Sequence, residues 1–198
     1  MTALHGLVLA GGRSTRMGRD KAALAWHGRP ALERAFDLLS ACTARAFVSL
    51  RAEQAGDPLR RALPHIVDGE AGQGPIAGIA AAQAAHPEAA WLVLACDLPF
   101  VDAGTLAHLL ERRDTSSLAT AYRSAYGGLP EPLCAIWEPA SREPLLAFIR
   151  EGRHCPRKFL INSGATLIDL PDPLALDNIN TPGELEAARK ALAERGAA

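Results

Sequence analysis

A series of short apolar runs, each stopped by glycine or aspartate or followed by a helical pattern, restricts this chain to a narrow set of folds. GLVLA at Gly6–Ala10 stops at Gly11-Gly12, AFVSL covers Ala46–Leu50, His65–Val67 stops at Asp68, and AWLVLA at Ala90–Ala95 stops at Cys96-Asp97. Strands this short and this uniformly apolar are covered on both faces. Between them, Pro30 opens a helical stripe of Leu32, Ala35, Phe36, Leu38 and Leu39 that runs to about Cys42. An alanine-rich helix follows EAGQGPIAG to about His86, and Asp102 is placed to N-cap a helix from Ala103 to about Arg112. Strands and helices alternating at this spacing predict βαβ units, hence an α/β protein whose mostly parallel sheet carries helices on both faces.

Ligands of such sheets sit beyond the carboxyl ends of the strands, which places the loops at Gly11, Asp68 and Asp97 on one rim. After Asp114 the pattern loosens. Leu118–Tyr122 and Leu133–Trp137 are strand candidates around SAYGGLPEP, Pro139–Arg150 has helical spacing, Ala165–Leu170 is a further strand, and Thr181-Pro182 with Glu184 caps a last helix. No composition break separates these pieces, so residues 1–198 are expected to form one domain that extends a single sheet.

Composition narrows the function. With 198 residues, 48% of them hydrophobic, the chain can bury a full core without a metal or disulfide staple. A net charge of -1 with only local basic clusters argues against a nucleic-acid or anionic-membrane surface, so any bound anion is expected to be small. The N-terminus has no basic region before its apolar run, and its glycines arrive too early for a signal peptide or a span. Cys42, Cys96, Cys134 and Cys155 are widely spaced with no CxxC pair, which predicts neither zinc nor a disulfide framework and suggests the cytoplasm.

The chemistry concentrates in LAGGRSTRMGRDK, Leu9 to Lys21. Gly11 and Gly12 let the backbone approach a ligand and can form an anion nest, and Arg13, Arg16 and Lys21 add positive charge beside it. The glycine spacing fits neither a dinucleotide GxGxxG nor a Walker A loop. A polyphosphate matches both features, and a plain strand-to-helix turn with solvated arginines is the other reading. Asp97 is suited to hold Mg²⁺ against a phosphate, or else to cap the turn through Pro99. Asp68 is either a ligand-side carboxylate or a turn aspartate before Gly69. In GQGPIAGI, Gly74, Pro75 and Gly78 leave room for a flat ring, or serve close helix–sheet packing. Asn178 and Asn180 are amides that can read a second substrate or simply shape a loop. Histidines are scattered and none flanks a serine or cysteine as a nucleophile pair would require.

LAGGRSTRMGRDKAAL resembles the signature loop of glycosyltransferase-A-like nucleotidyltransferases, close to LAGGxxxRMGxDK. Together with GPIAG, CDLPF and NINTPGEL, the chain from about Leu7 to Leu185 is most similar to the molybdenum cofactor guanylyltransferase (MobA) family. The resemblance implies a three-layer α/β/α Rossmann-like nucleotidyltransferase fold with a mostly parallel, mixed sheet. It implies transfer of GMP from GTP to the phosphate of molybdopterin carrying molybdenum, with release of pyrophosphate. It also implies that Leu9, Ala10, Gly11 and Gly12 and the stretch from Arg16 to Lys21 cradle the triphosphate, that Arg13 and Ser14 bind the nucleotide with them, and that Arg16, Lys21 and Asp97 are catalytic. Asp97 would hold Mg²⁺, Asp68, Gly74, Pro75 and Gly78 would lie by the nucleoside, and Asn178 and Asn180 would bind the pterin. Other cofactor-biosynthesis proteins and acceptor molybdoenzymes would be its protein partners. Arg19 follows Gly18 directly where family members often have a second glycine, and HCPRKFLINSG has no place in the family pattern. LAGG with GPIAG favours guanine over the LAAG loop of the cytidylyltransferases. A molybdopterin cytidylyltransferase, a sugar-1-phosphate nucleotidyltransferase and a noncatalytic nucleotide-binding regulator are the alternatives.

Overall fold

The computed structural model describes residues 2–11, 20–26, 28–69, 74–179 and 181–196. Its centre is a seven-stranded sheet built from β1 (Leu4–Leu9), β4 (Arg45–Leu50), β5 (His65–Val67), β6 (Ala90–Ala95), β7 (Ala119–Arg123), β8 (Pro130–Trp137) and β9 (Thr166–Asp169). The strand order is β5-β4-β1-β6-β8-β7-β9. β5, β4, β1 and β6 run parallel, β8 is antiparallel to both β6 and β7, and β9 returns parallel to β7. The sheet is therefore mixed but mostly parallel. A two-residue ribbon pairs β2 (Ala25–Trp26) with β3 (Arg29–Pro30) beside it.

The alternation of side chains along each strand divides the core into two layers. Val8, Val48, Leu92, Leu94, Cys134 and Ile136 face α1 (Ala31–Ser40) and α4 (Ala103–Glu111), through Leu32, Leu39, Leu106 and Leu109. Their neighbours Leu7, Phe47, Trp91, Val93, Ala135 and Trp137 face α3 (Pro75–Ala85), α5 (Arg142–Arg150) and α6 (Pro156–Asn162). Both faces are covered, which is why the central strands read as unbroken apolar runs. A third cluster joins Leu24 and Trp26 to Ile179 and Ala188, and so ties the ribbon and α7 (Pro182–Gly196) to the segment before it.

The caps expected at Asp102 and Thr181 are present. Asp102 accepts from the Thr105 N–H at 2.7 Å. Thr181 Oγ1 accepts from the Glu184 N–H at 3.2 Å while the Glu184 carboxylate accepts from the Thr181 N–H at 3.1 Å, a reciprocal capping box. Most strand boundaries fall within one or two residues of expectation, and other differences are larger. Pro30 is the N-cap of α1 rather than its first residue, because its backbone is committed to the ribbon. The segment from Pro139 begins as a 3-10 turn before α5. β8 starts at Pro130, and α2 (Pro58–Arg61) is a short helix between β4 and β5. Among the described residues no helix is long and apolar enough to cross a membrane.

Candidate active site

The parallel strands deliver their carboxyl ends to one rim. The chain runs from β1 outward to β4 and β5, then crosses back to place β6 on the other side of β1, so the order reverses between β1 and β6. Such a reversal splays the connections apart and leaves a crevice for ligand. Gly11 follows β1 on one side of it and Asp97 follows β6 on the other. Across the gap, Lys21 Nζ lies 2.8 Å from Asp97 Oδ2, with 17% and 18% of the two side chains exposed. Lys21 opens a 3-10 turn, Lys21–Ala23, whose N-cap Asp20 accepts from the Ala22 N–H at 3.0 Å.

Asp68 stands at the end of β5, its N–H donating to the Leu50 carbonyl at 2.8 Å. Gly11 passes so close that a side-chain carbon there would sit 3.0 Å from Asp68 Oδ2. Ser49 donates to the other carboxylate oxygen. Burial pushes the Asp68 carboxyl above the ordinary aspartate range, and the Ser49 hydrogen bond and the charge of Arg51 only partly offset this. Gly74 and Pro75 are exposed at the start of α3, with Gly74 at φ 67°, a conformation that favours glycine. Gly78 is buried one turn further on. A methyl group there would overlap Ser49 Oγ and come within 3.1 Å of Leu9, so close helix–sheet packing accounts for this glycine.

Beside the crevice is a cavity of about 510 Å³ whose lining includes Phe100, Tyr126, Glu131, Leu133, Arg157 and Asn178. The Ile179 N–H donates to the Asp97 carbonyl at 3.2 Å, which fastens the Asn178 segment to the end of β6. Arg157 donates to Glu131 and to the Pro130 carbonyl, each at 3.0 Å, and the Tyr126 hydroxyl lies 3.2 Å from Asp177 Oδ2. The HCPRKFLINSG segment thus becomes α6, which buries Phe159 and Leu160 and sets Arg157 on the cavity wall. Burial first and the Asp97 charge second push the Cys96 thiol up to about 12, which disfavours the thiolate that a nucleophile needs.

The structure brings Leu9, Ala10, Gly11, Lys21, Asp68, Gly74, Pro75, Asp97 and Asn178 to the same rim, with Gly78 just beneath it. Gly12, Arg13, Ser14, Arg16 and Asn180 lie outside the described residues. Sequence reasoning missed Arg60 and the cavity residues Tyr126, Glu131 and Arg157, and it gave Asp20 only as part of the Arg16–Lys21 stretch, not as a partner of Arg60. Asp57-Pro58 and Cys155-Pro156 each put proline at the first helical position, a signal that announces the helices carrying Arg60 and Arg157. Among the described residues no group of three or more His, Cys, Asp or Glu is arranged around a metal. The partly exposed Asp97 carboxylate nonetheless suits a hard cation that takes one or two protein carboxylates and fills its remaining positions with water and phosphate oxygens.

Residues 6–166 match the MobA-like NTP transferase domain model. The chain is 36% identical to the molybdenum cofactor biosynthesis bifunctional protein of Synechocystis sp., an alignment that covers 91% of this chain but 52% of that protein, so it spans about half that relative's length. It is 35% identical to a molybdenum cofactor guanylyltransferase of Cereibacter sphaeroides over 96% of this chain and 97% of the relative. Among solved structures, the molybdopterin-guanine dinucleotide biosynthesis protein A of Archaeoglobus fulgidus superposes with a TM-score of 0.79 at 25% identity, covering 96% of this chain and 99% of that one. With its signature loop, its strand order and its match over most of its length, the chain belongs to the MobA-like NTP transferase domain family.

Proposed function

We propose that this protein transfers GMP from GTP to the phosphate of molybdopterin carrying molybdenum, and that pyrophosphate leaves. The observation that carries this is the Lys21–Asp97 pair across the β1/β6 crevice, opening beside a cavity large enough for a second substrate. A phosphate oxygen of the acceptor attacks the α-phosphorus of GTP. The new P–O bond forms as the bond to the bridging oxygen of the β-phosphate breaks, and that electron pair departs with pyrophosphate.

The acceptor is already an anion, so no strong base is needed, and the barrier is the repulsion between approaching phosphates. Fixed positive charge lowers it by stabilising the equatorial oxygens and the leaving group. In this reading Lys21 sits on the phosphates, Arg13 and Arg16 add to it, and the Leu9–Gly12 backbone lines the triphosphate with Ser14. Asp97 would hold Mg²⁺, which would supply further positive charge to the phosphate oxygens. Asp68, Gly74, Pro75 and Gly78 would lie by the nucleoside, Asn178 would bind the pterin from the cavity wall, and Asn180 would help it. Cofactor-biosynthesis proteins and the molybdoenzymes that receive the product are the partners this activity calls for. A cytoplasmic setting fits it, and all four cysteines are free thiols.

The test is pyrophosphate release by purified protein with Mg²⁺ and each of GTP, CTP, ATP and UTP, with and without molybdopterin or its molybdenum complex. Release confined to GTP plus the pterin is expected. Release with CTP in its place would move the protein to the cytidylyltransferases, and GTP binding with no release from any nucleotide would end the catalytic reading.

A further inference from the structure

Arg60 is a buried charge that the reaction scheme above does not use. It lies on the four-residue helix α2 with 2% of its side chain exposed, and all its described partners bear on the signature loop or on its own helix cap. One terminal nitrogen donates to Asp20 Oδ2 at 2.7 Å, and the other donates to Asp20 Oδ1 at 3.0 Å and to the Ala10 carbonyl at 3.2 Å. The first also lies 3.3 Å from Asp57, which caps α2 through the Leu59 and Arg60 N–H groups. Ala10 and Asp20 bracket the segment GGRSTRMGR, and Lys21 comes next.

A planar guanidinium is the side chain able to do this. Its fork grips both carboxylate oxygens while a remaining N–H reaches a carbonyl, and a lysine ammonium offers no such planar pair. Burial alone would raise the Asp20 carboxyl, but the hydrogen bonds from Arg60 and from the Ala22 N–H outweigh it and hold the group below its ordinary value. Asp20 in turn caps the turn from which Lys21 reaches Asp97. The chain of contacts thus runs from Arg60 through Asp20 to the Lys21 ammonium.

Resting on the nucleotidyltransferase reading above, we propose that Arg60 is a positioning residue: it clamps both ends of the basic loop and aims Lys21 into the crevice without touching substrate. The alternative is that Arg60 only staples α2 to the end of β1. The two differ in what they couple. If Arg60 works through Asp20, removing either breaks the same device, and removing both costs little more than removing one.

The experiment measures kcat and KM for GTP in the pyrophosphate-release assay, and GTP affinity by equilibrium dialysis, for wild type, Arg60→Met, Arg60→Lys, Asp20→Asn and the Arg60→Met/Asp20→Asn double variant. Thermal unfolding of each fixes an assay temperature well below every transition. Arg60→Met and Asp20→Asn are each expected to lower kcat/KM about 100-fold, the scale of an ångström-sized misplacement of a catalytic group. The double variant should match the worse single variant, and Arg60→Lys should recover only part of the loss. Turnover within about threefold of wild type in folded Arg60→Met, or losses that multiply in the double variant, would overturn the proposal. Asp20 is more exposed than Arg60, at 40% of its side chain, so Asp20→Asn carries the test if Arg60→Met does not fold. Wild type that binds GTP yet releases no pyrophosphate would sink the reaction instead. The clamp is then judged by affinity, where a loss of about tenfold in either variant supports it and unchanged affinity in both overturns it.

Discussion

Replacing Gly78 with alanine separates the two uses of the GPIAG segment. A methyl group at this position overlaps Ser49 Oγ and comes to 3.1 Å from both Leu9 Cδ2 and Ser49 Cβ. None of these can yield easily. Ser49 is 1% exposed and donates to the Asp68 carboxylate, so turning it away would break that bond and strand a buried hydroxyl. Forcing one extra carbon into such a contact costs about 1–3 kcal/mol, and a lost hydrogen bond adds about 1 kcal/mol. For a chain of this size each kcal/mol lowers Tm by about 2–4 °C, so Gly78→Ala is expected to melt about 4–16 °C below wild type. Thermal and urea unfolding at pH 7 measure this. Adding Ser49→Ala removes one of the colliding atoms, and the double variant should lose at least about 0.5 kcal/mol less than the sum of the two singles. A Gly78→Ala variant that melts within about 2 °C of wild type would refute the packing argument and leave room for a bound ring as the reason for this glycine.

Lys21→Ala and Asp97→Ala should each reduce turnover about 10²–10³-fold, the effect of removing one transition-state charge partner. Their Tm should move by no more than about 4 °C, because a partly exposed ion pair is worth at most about 1 kcal/mol. Unchanged turnover in either folded variant would remove its assigned role. Arg113→Met should do the reverse. Arg113 grips Glu138 through two hydrogen bonds of 2.6 and 2.8 Å, with 4% of the Glu138 side chain exposed at the end of the sheet away from the crevice. Losing that partner is expected to cost about 3–5 kcal/mol in urea unfolding with kcat unchanged, and a loss under about 1 kcal/mol would contradict it. Two carboxylates give opposite pH dependences. Hydrogen bonds from Ser116 and Thr166 hold Asp114 down at about 2, so its stabilisation is present above 3.8 and is lost as pH falls towards 2. Asp68 is raised by burial, so its contribution is full below 3.8 and is lost as pH rises through its folded value. Urea midpoints from pH 2 to 7 should therefore show Asp114→Asn flattening the acid limb and Asp68→Asn gaining on wild type as pH rises; the same pH profile in all three proteins would refute both assignments.

The strands β1, β4 and β6 were readable because burial on both faces writes them as apolar runs, whereas the edge strand β5, His65–Val67, is largely exposed and was marked by its stop at Asp68. β8 was harder. Its first residues include Pro130 and Pro132, which argue against a central strand. They are tolerated because β6 pairs with β8 only from Cys134 onward, leaving that side of the strand's start without a ladder to interrupt. The helix α2 spans four residues, too few to show a period, and only its Asp57-Pro58 start marks it. Individual site residues were readable from their positions at strand ends, but their pairing was not. Lys21 and Asp97 are 76 residues apart in sequence, and Arg60 reaches partners 40 and 50 residues away. Nothing local to Arg60 distinguishes it from Arg61 beside it, which is exposed. Only the crossover from β4 to β5 turns one of these two arginines inward.

The charges on the rim divide into fixed and exchangeable sets, and this division explains why so much positive charge can sit on a glycine loop after a buried strand. Asp20 and Arg60 form a two-pronged contact with the guanidinium buried and 40% of the Asp20 side chain exposed, and such a bidentate geometry holds more firmly than a single contact. Lys21 and Asp97 meet through one nitrogen–oxygen contact of 2.8 Å, with 17% and 18% of the two side chains exposed. On the proposed function, an incoming polyphosphate would draw Lys21 from Asp97 and leave that carboxylate open to a cation, while the two-pronged Asp20–Arg60 contact would stay closed and keep Ala10 and Asp20 together. If the strengths were reversed, substrate binding would have to open the buried pair first, and the loop would lose its anchor as its ligand arrived.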